Sequence, residues 1–470
     1  MEKQKKIESI GKHRNLLNAV RRLKTNDRSI LSSSASLSWP TVESNAKKLG
    51  LDKNKKKPGK DDAIYLDSSG TYRISPKYGF FVGISVSVGS SKITVCDFSL
   101  TPLTGKDFDA YGITNFYKVL TELDPACVES SGGCSVCHKT TDGFTEIRNM
   151  LSCVIDLLLR EDENNSAFDL LGIGIAFPGI INFQSNRIEF SPNIESIRDK
   201  HLSALIPSTH LQDIKDRHIV LYFEHDTECA TLYEKEKLYD PKCRDYRLRN
   251  KENLACVYIG TGVGLGLIMN HTLVRGSNSC GELGHIKTPQ IVIPDPPEGT
   301  PEYFDMKGYT LTERKMEKPV DIHATKCACG KTDCLEKRIR ADVFNSDSQD
   351  DYNSKTTTER LNEFQEKHPY RYRVLEEYVA YILSLLIDLL GVDVIVFSGK
   401  LISKIPSLKG DLETLKYANS IAISAINCTL IEGSQDIESV AIGAAMAAFN
   451  KCDYTGNPIQ VSWLKTGEDS

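Results

Sequence analysis

This chain of 470 residues lacks the long apolar stretches that membrane proteins need. No hydrophobic run approaches the roughly 20 residues required to cross a bilayer. The Lys-rich start MEKQKKIESIGKHR is not followed by the apolar core of a signal peptide. We therefore expect a cytoplasmic protein. A strong charge excess is also missing, because the formal net charge is only -5, but the first 60 residues are strongly basic.

A disulfide framework is not indicated either. The 14 cysteines are mostly scattered singly, which in a reducing compartment is typical of buried thiols and metal ligands. Hydrophobic residues make up 40% of the chain and charged residues 26%, as in ordinary globular proteins. The length exceeds that of one ordinary hydrophobic core, so we expect two or three domains.

Residues 1–78 have the pattern of a DNA-binding head. Apolar residues recur at helical spacing over 11–24, Asp27 is suited to cap a second helix, and Ser38 is suited to cap a third. This order predicts a helix-turn-helix. The side chains predicted to face the major groove and the flanking phosphates are those of Trp39, Thr41, Ser44, Asn45, Lys47 and Lys48.

A Lys-rich stretch follows the three helices. KNKKKPGK (53–60), with the segments AIYLD and TYRIS, predicts a charged turn between two short strands, hence a wing. Lys55, Lys56 and Lys57 would neutralise phosphates and so supply affinity without sequence information. Taken alone, such a run could equally be a solvated surface.

Four segments between residues 260 and 336 carry the most specific pattern. They are GTGVGLG (260–266), GELGH (281–285), CACG (327–330) and DCLE (333–336). Three thiols and one imidazole form a Cys3His set suited to structural zinc, and acidic side chains lie beside it in the sequence. Buried free thiols are the alternative. The predicted ligands are His285, Cys327, Cys329 and Cys334.

This run, C-x-C-G-x-x-D-C-x-E preceded by G-E-x-G-H, resembles the ROK family, which groups bacterial sugar kinases with sugar-sensing transcriptional repressors. The resemblance extends over roughly residues 10–450, and S-L-S-W-P-T-V (36–42) resembles the turn in the winged-helix head of ROK repressors. It implies an α/β fold, with an N-terminal winged helix-turn-helix (1–78) before a two-lobed, actin-like or hexokinase-like ROK body. We assign 79–215, completed by a helix at 438–450, to a small lobe and 216–437 to a large lobe with the zinc site.

The resemblance also implies roles for individual residues. Asp226 corresponds to the family's catalytic Asp, although an Asp between a strand and a helix is often only an N-cap. His225 replaces the usual Asn, and Asp333 stands where the family usually has Gly, a change that a left-handed turn tolerates. The implied sugar ligands are Asn193, His225, Asp226, Glu282, His285 and Glu336. The implied nucleotide-loop turns, each of which alone could be a plain hairpin, involve Gly89, Lys92, Gly260, Thr261, Gly262, Gly264 and Gly399.

The resemblance leaves a regulator and an enzyme as candidates. Ser87 stands where kinases of this family have the Asp that helps to place magnesium, which disfavours phosphoryl transfer. The leading hypothesis is therefore a sugar-responsive repressor of carbohydrate genes. It would bind a DNA operator and a sugar or sugar phosphate, contain structural zinc, have no membrane partner and form a homodimer or homotetramer.

The rival is an ATP-dependent hexose kinase that uses Mg-ATP, with Asp226 as its catalytic residue and an appended DNA-binding head. A third class, a DNA-binding scaffold that has lost its ligand, is favoured only by His225. In a regulator, a sugar bound in the cleft between the lobes would change their orientation and so the spacing of two heads.

A further cysteine-rich segment stands apart from this pattern. Cys127, Cys134, Cys137 and His138 lie in PACVESSGGCSVCHK, and CSVCH fits a haem c attachment pattern. Such attachment needs an oxidising compartment, which the missing signal peptide excludes. A second small zinc knuckle and a loop with redox-sensitive thiols both remain open.

Overall fold

A computed structural model describes most of the chain outside several loops and the C-terminal segment. The described residues are 2–52, 55, 57–86, 91–114, 116, 118, 143–191, 194–239, 248, 251–260, 262–276, 281–289, 295–301, 303–304, 307, 327–339, 366, 369–399, 406–434 and 436–452. For residues 371 and 406–411, only the backbone is described. No helix within these ranges is long and apolar enough to cross a membrane.

Three helices and a two-stranded sheet form the N-terminal part. They are α1 (Glu2–Leu23), α2 (Arg28–Ala35), α3 (Trp39–Lys48), β1 (Ile64–Leu66) and β2 (Tyr72–Ile74). Asp27 begins α2 by accepting the backbone N–H groups of Ser29 and Ile30 at 2.8 and 3.1 Å. Ser38 precedes α3, which has a proline in its first turn. The three predicted helices are confirmed, although α1 begins at Glu2 rather than near residue 11.

The structure corrects the position of the Lys-rich stretch. Residues 53–60 precede β1, so the prediction that they form the turn between the two strands is wrong. The strands pair antiparallel, and the turn between them is held by Asp67, whose Oδ1 accepts N–H groups of Ser69 and Thr71 at 2.9 and 3.0 Å. An Asp carboxylate stabilises a tight turn through such bonds, whereas a run of lysines offers no acceptor.

The middle of the chain forms a four-stranded sheet with helices. Its elements are β3 (Phe80–Ser85), β4 (Lys92–Asp97), α4 (Gly105–Tyr111), α5 (Gly143–Asn164), β5 (Leu170–Phe177), β6 (Ile180–Asn182), β7 (Arg187–Phe190), α6 (Ser208–Asp216), β8 (Val220–His225) and α7 (Asp226–Lys237). The strand order is β4-β3-β5-β8, and β3, β5 and β8 run parallel. These three strands are buried along their full length, as in sheets covered on both faces.

A five-stranded sheet follows. Its elements are β9 (Leu254–Ile259), β10 (Val263–Met269), β11 (Thr272–Val274), α8 (Glu336–Ile339), α9 (Pro369–Ser384), β12 (Val394–Ser398), α10 (Pro406–Asn419), α11 (Ala422–Asn427) and β13 (Thr429–Glu432). The strand order is β11-β10-β9-β12-β13, with β12 parallel to both of its neighbours. The apolar face of α9 packs on this sheet, where Val379 and Leu383 share a core with Val257 and Ile395.

The last helix, α12 (Ile437–Asn450), returns to the first sheet. It lies so close to β3 and β5 that a Cβ atom on Gly83 would stand 1.7 Å from the Ala441 carbonyl oxygen. A Cβ on Gly174 would stand 1.9 Å from the carbonyl oxygen of Ala444. Only glycine allows this approach of helix to sheet.

The described chain divides into two compact units. The first comprises Met1–Arg244 and Ile437–Ser470, and the second comprises Asp245–Asp436. The expected lobe boundary between 215 and 216 is therefore corrected, because β8 pairs with β5 and α7 packs on α12. That pairing could not be read from the order of elements along the chain.

Residues 1–78 belong to the first unit instead of standing apart from it. In α1, Lys3 binds Asp162 at 2.5 Å and Lys6 binds Asp169 at 2.9 Å. The apolar side of α1 shares a hydrophobic core with α12, which includes Leu17 and Met446. The N-terminal helices are thus attached to the first sheet by both ion pairs and apolar packing.

Candidate functional site

Three cysteines and a histidine of the second unit converge on one point. One ligand atom from each of His285, Cys327, Cys329 and Cys334 lies within 4.8 Å of the others. The Cys327 Sγ is 3.5 Å from the His285 Nδ1, and the Cys329 Sγ is 3.5 Å from the Cys334 Sγ. Three sulfurs and one imidazole nitrogen in a mostly buried cluster form the donor set that tetrahedral zinc prefers. The residues therefore fit a structural metal ion.

Backbone contacts hold this cluster in place. The Thr288 N–H donates to the Asp333 carbonyl at 2.8 Å, and the Lys331 ammonium donates to the His285 carbonyl at 2.9 Å. Asp333 adopts φ 60, the left-handed conformation expected where an Asp replaces Gly. Gly330 has φ 88 in the preceding turn. The two left-handed residues allow the chain to fold the three thiols toward His285.

The three thiols differ in acidity. Burial raises the pKa of Cys334 to about 12, and it also raises the pKa of Cys327. Burial acts in the same direction on Cys329, but a hydrogen bond from the Lys331 backbone and bonds with the other two thiols bring its pKa below the ordinary value. Because thiols must lose their protons to bind a metal, a cation here would compete with protons mainly at Cys327 and Cys334.

His285 has polar groups on both sides of its ring. Its Nδ1 is directed at Cys327, whereas its Nε2 lies 3.9 Å from the Glu282 Oε2. Glu336 begins α8 and its Oε2 accepts the N–H of Val263 at 3.4 Å. Two of the predicted sugar ligands, Glu282 and His285, are thus adjacent, and the carboxylate of a third predicted ligand, Glu336, is directed at the glycine-rich hairpin.

The glycine-rich hairpin of the second unit is tightly built. The Gly260 N–H donates to the Gly262 carbonyl at 2.9 Å, and a Cβ on Gly262 would stand 3.3 Å from the Glu336 Oε2. Gly399 has φ 93, and a Cβ there would stand 2.4 Å from the Ile259 carbonyl oxygen. Gly264 pairs with Tyr258 within the hairpin. Gly399 therefore lies against the backbone of Ile259, the residue before Gly260.

In the first unit, Asp226 opens α7 directly after β8. Burial raises the pKa of its carboxyl, while the charge of His225 opposes that rise. The His225 Nε2 is 3.6 Å from the Asp226 Oδ1, and its Nδ1 is 2.5 Å from the Glu228 Oε2 and 2.6 Å from the Thr227 Oγ1. The imidazole is therefore held between two carboxylates.

The predicted DNA-contacting residues of α3 have different exposures. Trp39 is partly buried and packs edge-on against Tyr72 of β2, with ring centroids 6.2 Å apart. Asn45 is half-buried. Lys55 is half-exposed and pairs with Asp62 at 2.9 Å. The exposed side chains include those of Thr41, Ser44, Lys47, Lys48 and Lys57.

Several predicted residues lie outside the described part of the chain. Lys92 is described, at the start of β4, but the loop before it is not. The predictions for residues outside the description concern Lys56, Ser87, Gly89, Asn193, Thr261, Cys127, Cys134, Cys137 and His138.

The sequence pattern did not reveal the partners of His225. Glu228 is 1% exposed and lies three residues further along the same helical turn. That spacing, with Thr227 between them, is the signal that could have indicated the contact. Lys331 was missed as well, because a lysine that donates to a backbone carbonyl leaves no pattern in the sequence.

Comparison with known proteins gives matches over most of the chain. The sequence model of the ROK family matches residues 121–449. The N-acetyl-D-glucosamine kinase of Pectobacterium carotovorum subsp. carotovorum (strain PC1) is 26% identical over 201 residues, which cover 43% of this chain and 53% of that protein. The xylose repressor of Bacillus subtilis (strain 168) is 28% identical over 172 residues, covering 36% and 32%. The chain thus spans between a third and about half of the length of these relatives.

Among solved structures, a ROK family transcriptional regulator described as a homologue of the E. coli Mlc protein has the same fold. It superposes with a TM-score of 0.58 at 15% sequence identity. The match covers 96% of this chain and 99% of that one. It therefore includes the N-terminal helices as well as the two sheets.

Proposed function

The chain belongs to the ROK family, and from that premise we propose that it is a sugar-responsive transcriptional repressor of carbohydrate genes that acts as a homodimer or homotetramer. The observation that carries this proposal is the N-terminal arrangement of three helices and a hairpin, attached through α1 to the first sheet. The solved ROK regulator supports it, since the fold is shared over nearly the full length of both chains.

The head would bind DNA through α3. Its exposed Thr41, Ser44, Lys47 and Lys48 present hydroxyl and ammonium donors on one side, while Val42 and Ala46 are buried on the other. A helix of this kind fits the major groove, where side chains read base edges and contact phosphates. Trp39 would stabilise the angle between α3 and the hairpin rather than read bases, because its ring packs on Tyr72.

The sugar would bind to carboxylate and imidazole groups. In the second unit, Glu282 and His285 can share vicinal hydroxyls, with Glu336 as a further acceptor. Zinc on the Nδ1 side of His285 would fix the ring and leave Nε2 for the ligand. In the first unit, Asp226 and His225 form a second carboxylate and imidazole pair of the kind that binds sugar hydroxyls.

A continuous helix connects the Asp226 site to the head. Asp226 is the first residue of α7, and Glu236 in its last turn binds Arg21 and Arg22 of α1 at 2.8 and 3.1 Å. A shift of α7 on ligand binding would therefore move α1 directly. We expect a coupling of about 1 to 3 kcal/mol between sugar and DNA binding.

The rival function is an ATP-dependent sugar kinase that uses Mg-ATP. The raised pKa of Asp226 favours it, because a carboxylate of higher pKa is a better general base toward a sugar hydroxyl. The kinase relatives and the adjacent Gly260 and Gly399 turns point the same way. Ser87 argues against it, since a serine lacks the carboxylate that positions magnesium.

One set of measurements separates the two functions. Purified protein is tested for sugar phosphate formation from Mg-ATP with hexoses, pentoses and N-acetylated sugars, and for binding to an operator selected from random DNA. We expect operator binding that one sugar weakens, and no turnover above background. Turnover that disappears in Asp226→Asn, without operator binding, would establish the kinase instead.

A further inference from the structure

The first unit contains an open cavity of about 520 Å³ between the head and the rest of the unit. Its walls come from the end of α1, the β1–β2 hairpin, the turn after β4, the end of α7 and the middle of α12. A volume of this size is within the range of small-molecule sites. None of the predicted sugar, zinc or DNA residues lines it.

Two neighbouring arginines at the end of α1 line this cavity. The Arg21 side chain is only 8% exposed and the Arg22 side chain 29%, and they share a single carboxylate, that of Glu236. The Arg21 Nε is buried without a hydrogen-bond partner among the described residues. Burial alone would raise the pKa of Glu236, yet the two guanidinium groups hold it below the ordinary value. Two guanidinium groups against one carboxylate leave a positive balance at this wall of the cavity, which favours a further anion.

Three more cations line the cavity: Lys24, Arg73 and Lys237. Arg73 pairs with Asp67 at 2.8 Å, and Lys237 lies 3.7 Å from a Glu234 carboxylate oxygen. Even when these two carboxylates and Glu236 are included, the five cations leave this set with a formal charge of +2. A site with this balance attracts anions and repels cations.

The remaining lining is apolar and aromatic. Leu100, Ile442 and Met446 contribute aliphatic surface, and Tyr65 and Tyr239 contribute rings with hydroxyl groups. Such a surface suits the organic part of a ligand that also carries an anionic group. Guanidinium forks match the oxygens of a phosphate, which carries more charge than a carboxylate at neutral pH.

We propose that this cavity binds a small organic phosphate monoester, with the phosphate on Arg21 and Arg22 and the organic part against Ile442 and Met446. The ligand would contact the head and the rest of the first unit together, because α1 and the hairpin form one side of the cavity and α7 and α12 the other. Its binding would therefore act on the Arg21–Glu236 and Arg22–Glu236 contacts, through which α7 is also proposed to move the head.

The test uses the full-length protein and phenyl phosphate, whose ring and phosphate match the two parts of the lining. Isothermal titration calorimetry should show saturable binding, weaker binding of inorganic phosphate, and none of neutral benzyl alcohol. Arg21→Gln and Arg22→Gln should each weaken the affinity for phenyl phosphate about tenfold or more. Arg160→Gln, at an exposed arginine paired with Asp156, is the matched control and should bind like wild type.

The arginine variants could lose phenyl phosphate binding simply by misfolding, so a variant with the opposite expected effect is needed. Glu236→Gln removes the carboxylate that competes with the ligand, so it should bind phenyl phosphate several-fold more tightly. Asp226→Asn and Glu282→Gln should leave phenyl phosphate binding unchanged, which separates this cavity from the proposed sugar residues. Equal binding by wild type, Arg22→Gln and Glu236→Gln overturns the proposal. If Arg22→Gln weakens only operator binding, the cavity wall is a DNA contact and the proposal is likewise overturned.

Discussion

His285 illustrates how one side chain can serve two purposes. Its Nδ1 faces the three cysteines and its Nε2 faces Glu282. An ion bound on the sulfur side would fix the ring and make Nε2 a donor for a ligand hydroxyl. Loss of the metal would therefore be felt at the proposed sugar residues, although none of the cysteines would touch the sugar.

Replacing one thiol should test this connection. Cys329→Ser should lower the free energy of unfolding by roughly 4 kcal/mol or more, as expected when a metal ligand is removed. It should also abolish sugar binding. Metal analysis should find about one zinc per wild-type chain, with a reduced content in the variant, and thermal unfolding with and without a chelator gives the stability.

Cys153→Ser serves as the matched control, since Cys153 lies on α5 in the first unit, away from the cluster. It should keep both zinc and sugar binding. Freshly purified wild-type protein without zinc would contradict the metal assignment.

Asp67 gives a prediction about pH. Hydrogen bonds from Ser69 and Arg73 hold its pKa below the ordinary value of 3.8. The ionised carboxylate is therefore the form that stabilises the hairpin turn. This stabilisation is complete above pH 3.8 and is lost as the pH falls through the lowered pKa.

The protection factors of the Ser69 and Thr71 amides, which allow for the slower intrinsic exchange in acid, should fall as the pH drops through the lowered pKa of Asp67, and they should already be reduced at neutral pH in Asp67→Asn. Asp61→Asn, a change at a neighbouring carboxylate that is 70% exposed, should leave the turn protected. Equal exchange in both variants would contradict the role of Asp67.

Among the elements, α3 and the Lys-rich stretch should affect DNA binding in different ways. Replacing Lys55, Lys56 and Lys57 by Ala should weaken binding to all sequences alike. The log-log salt slope should fall by about 0.9 for each phosphate that the variant no longer neutralises. Of the two lysines that the structure describes here, Lys55 should contribute less to DNA affinity than Lys57, because Asp62 already pairs with Lys55 at 2.9 Å.

Asn45→Ala in α3 should instead relax discrimination at one base position, by roughly 1 to 3 kcal/mol if the amide reads adenine. Fluorescence anisotropy with operator and scrambled duplexes over a range of salt concentrations separates the two effects. Lys215→Ala, at an exposed lysine of α6, is the control and should change neither. If the Asn45 and Lys variants both bind the selected operator like wild type, the head is not a DNA reader.

At the scale of the whole molecule, the return of α12 to the first sheet depends on glycine. Gly83→Ala places a methyl group 1.7 Å from the Ala441 carbonyl oxygen, so the helix must move. We expect a loss of about 3 kcal/mol or more in the free energy of unfolding, measured by denaturant titration. The helix also carries Met446 at the proposed anion cavity, so phenyl phosphate binding should fall with it.

Gly70→Ala is the comparison, because a methyl group there meets nothing within 4 Å. Its cost of roughly 1 to 2 kcal/mol comes only from the left-handed backbone. An equal loss of unfolding free energy in the two variants would show that α12 does not pack closely against β3 at Gly83.

The sequence alone determined the features that depend on near neighbours. The Asp27 cap of α2, the glycine-rich hairpin and the Asp333 turn follow from bonds and steric limits within a few residues. Ser38 does precede α3, but its side chain makes no capping bond to the backbone and lies 2.8 Å from the Thr41 hydroxyl instead. The Cys3His set was also predictable, since its thiols lie within eight residues, Cys327–Cys334, and thiol and imidazole donors are specific for zinc.

Only the tertiary structure decided which distant parts meet. Arg21 and Glu236 are 215 residues apart, and their contact depends on α1 and α7 both packing against α12. The pairing of β8 with β5, which changed the expected lobe boundary, arose in the same way. Each is a choice among alternatives with similar local energies, and burial of the shared core selects one of them.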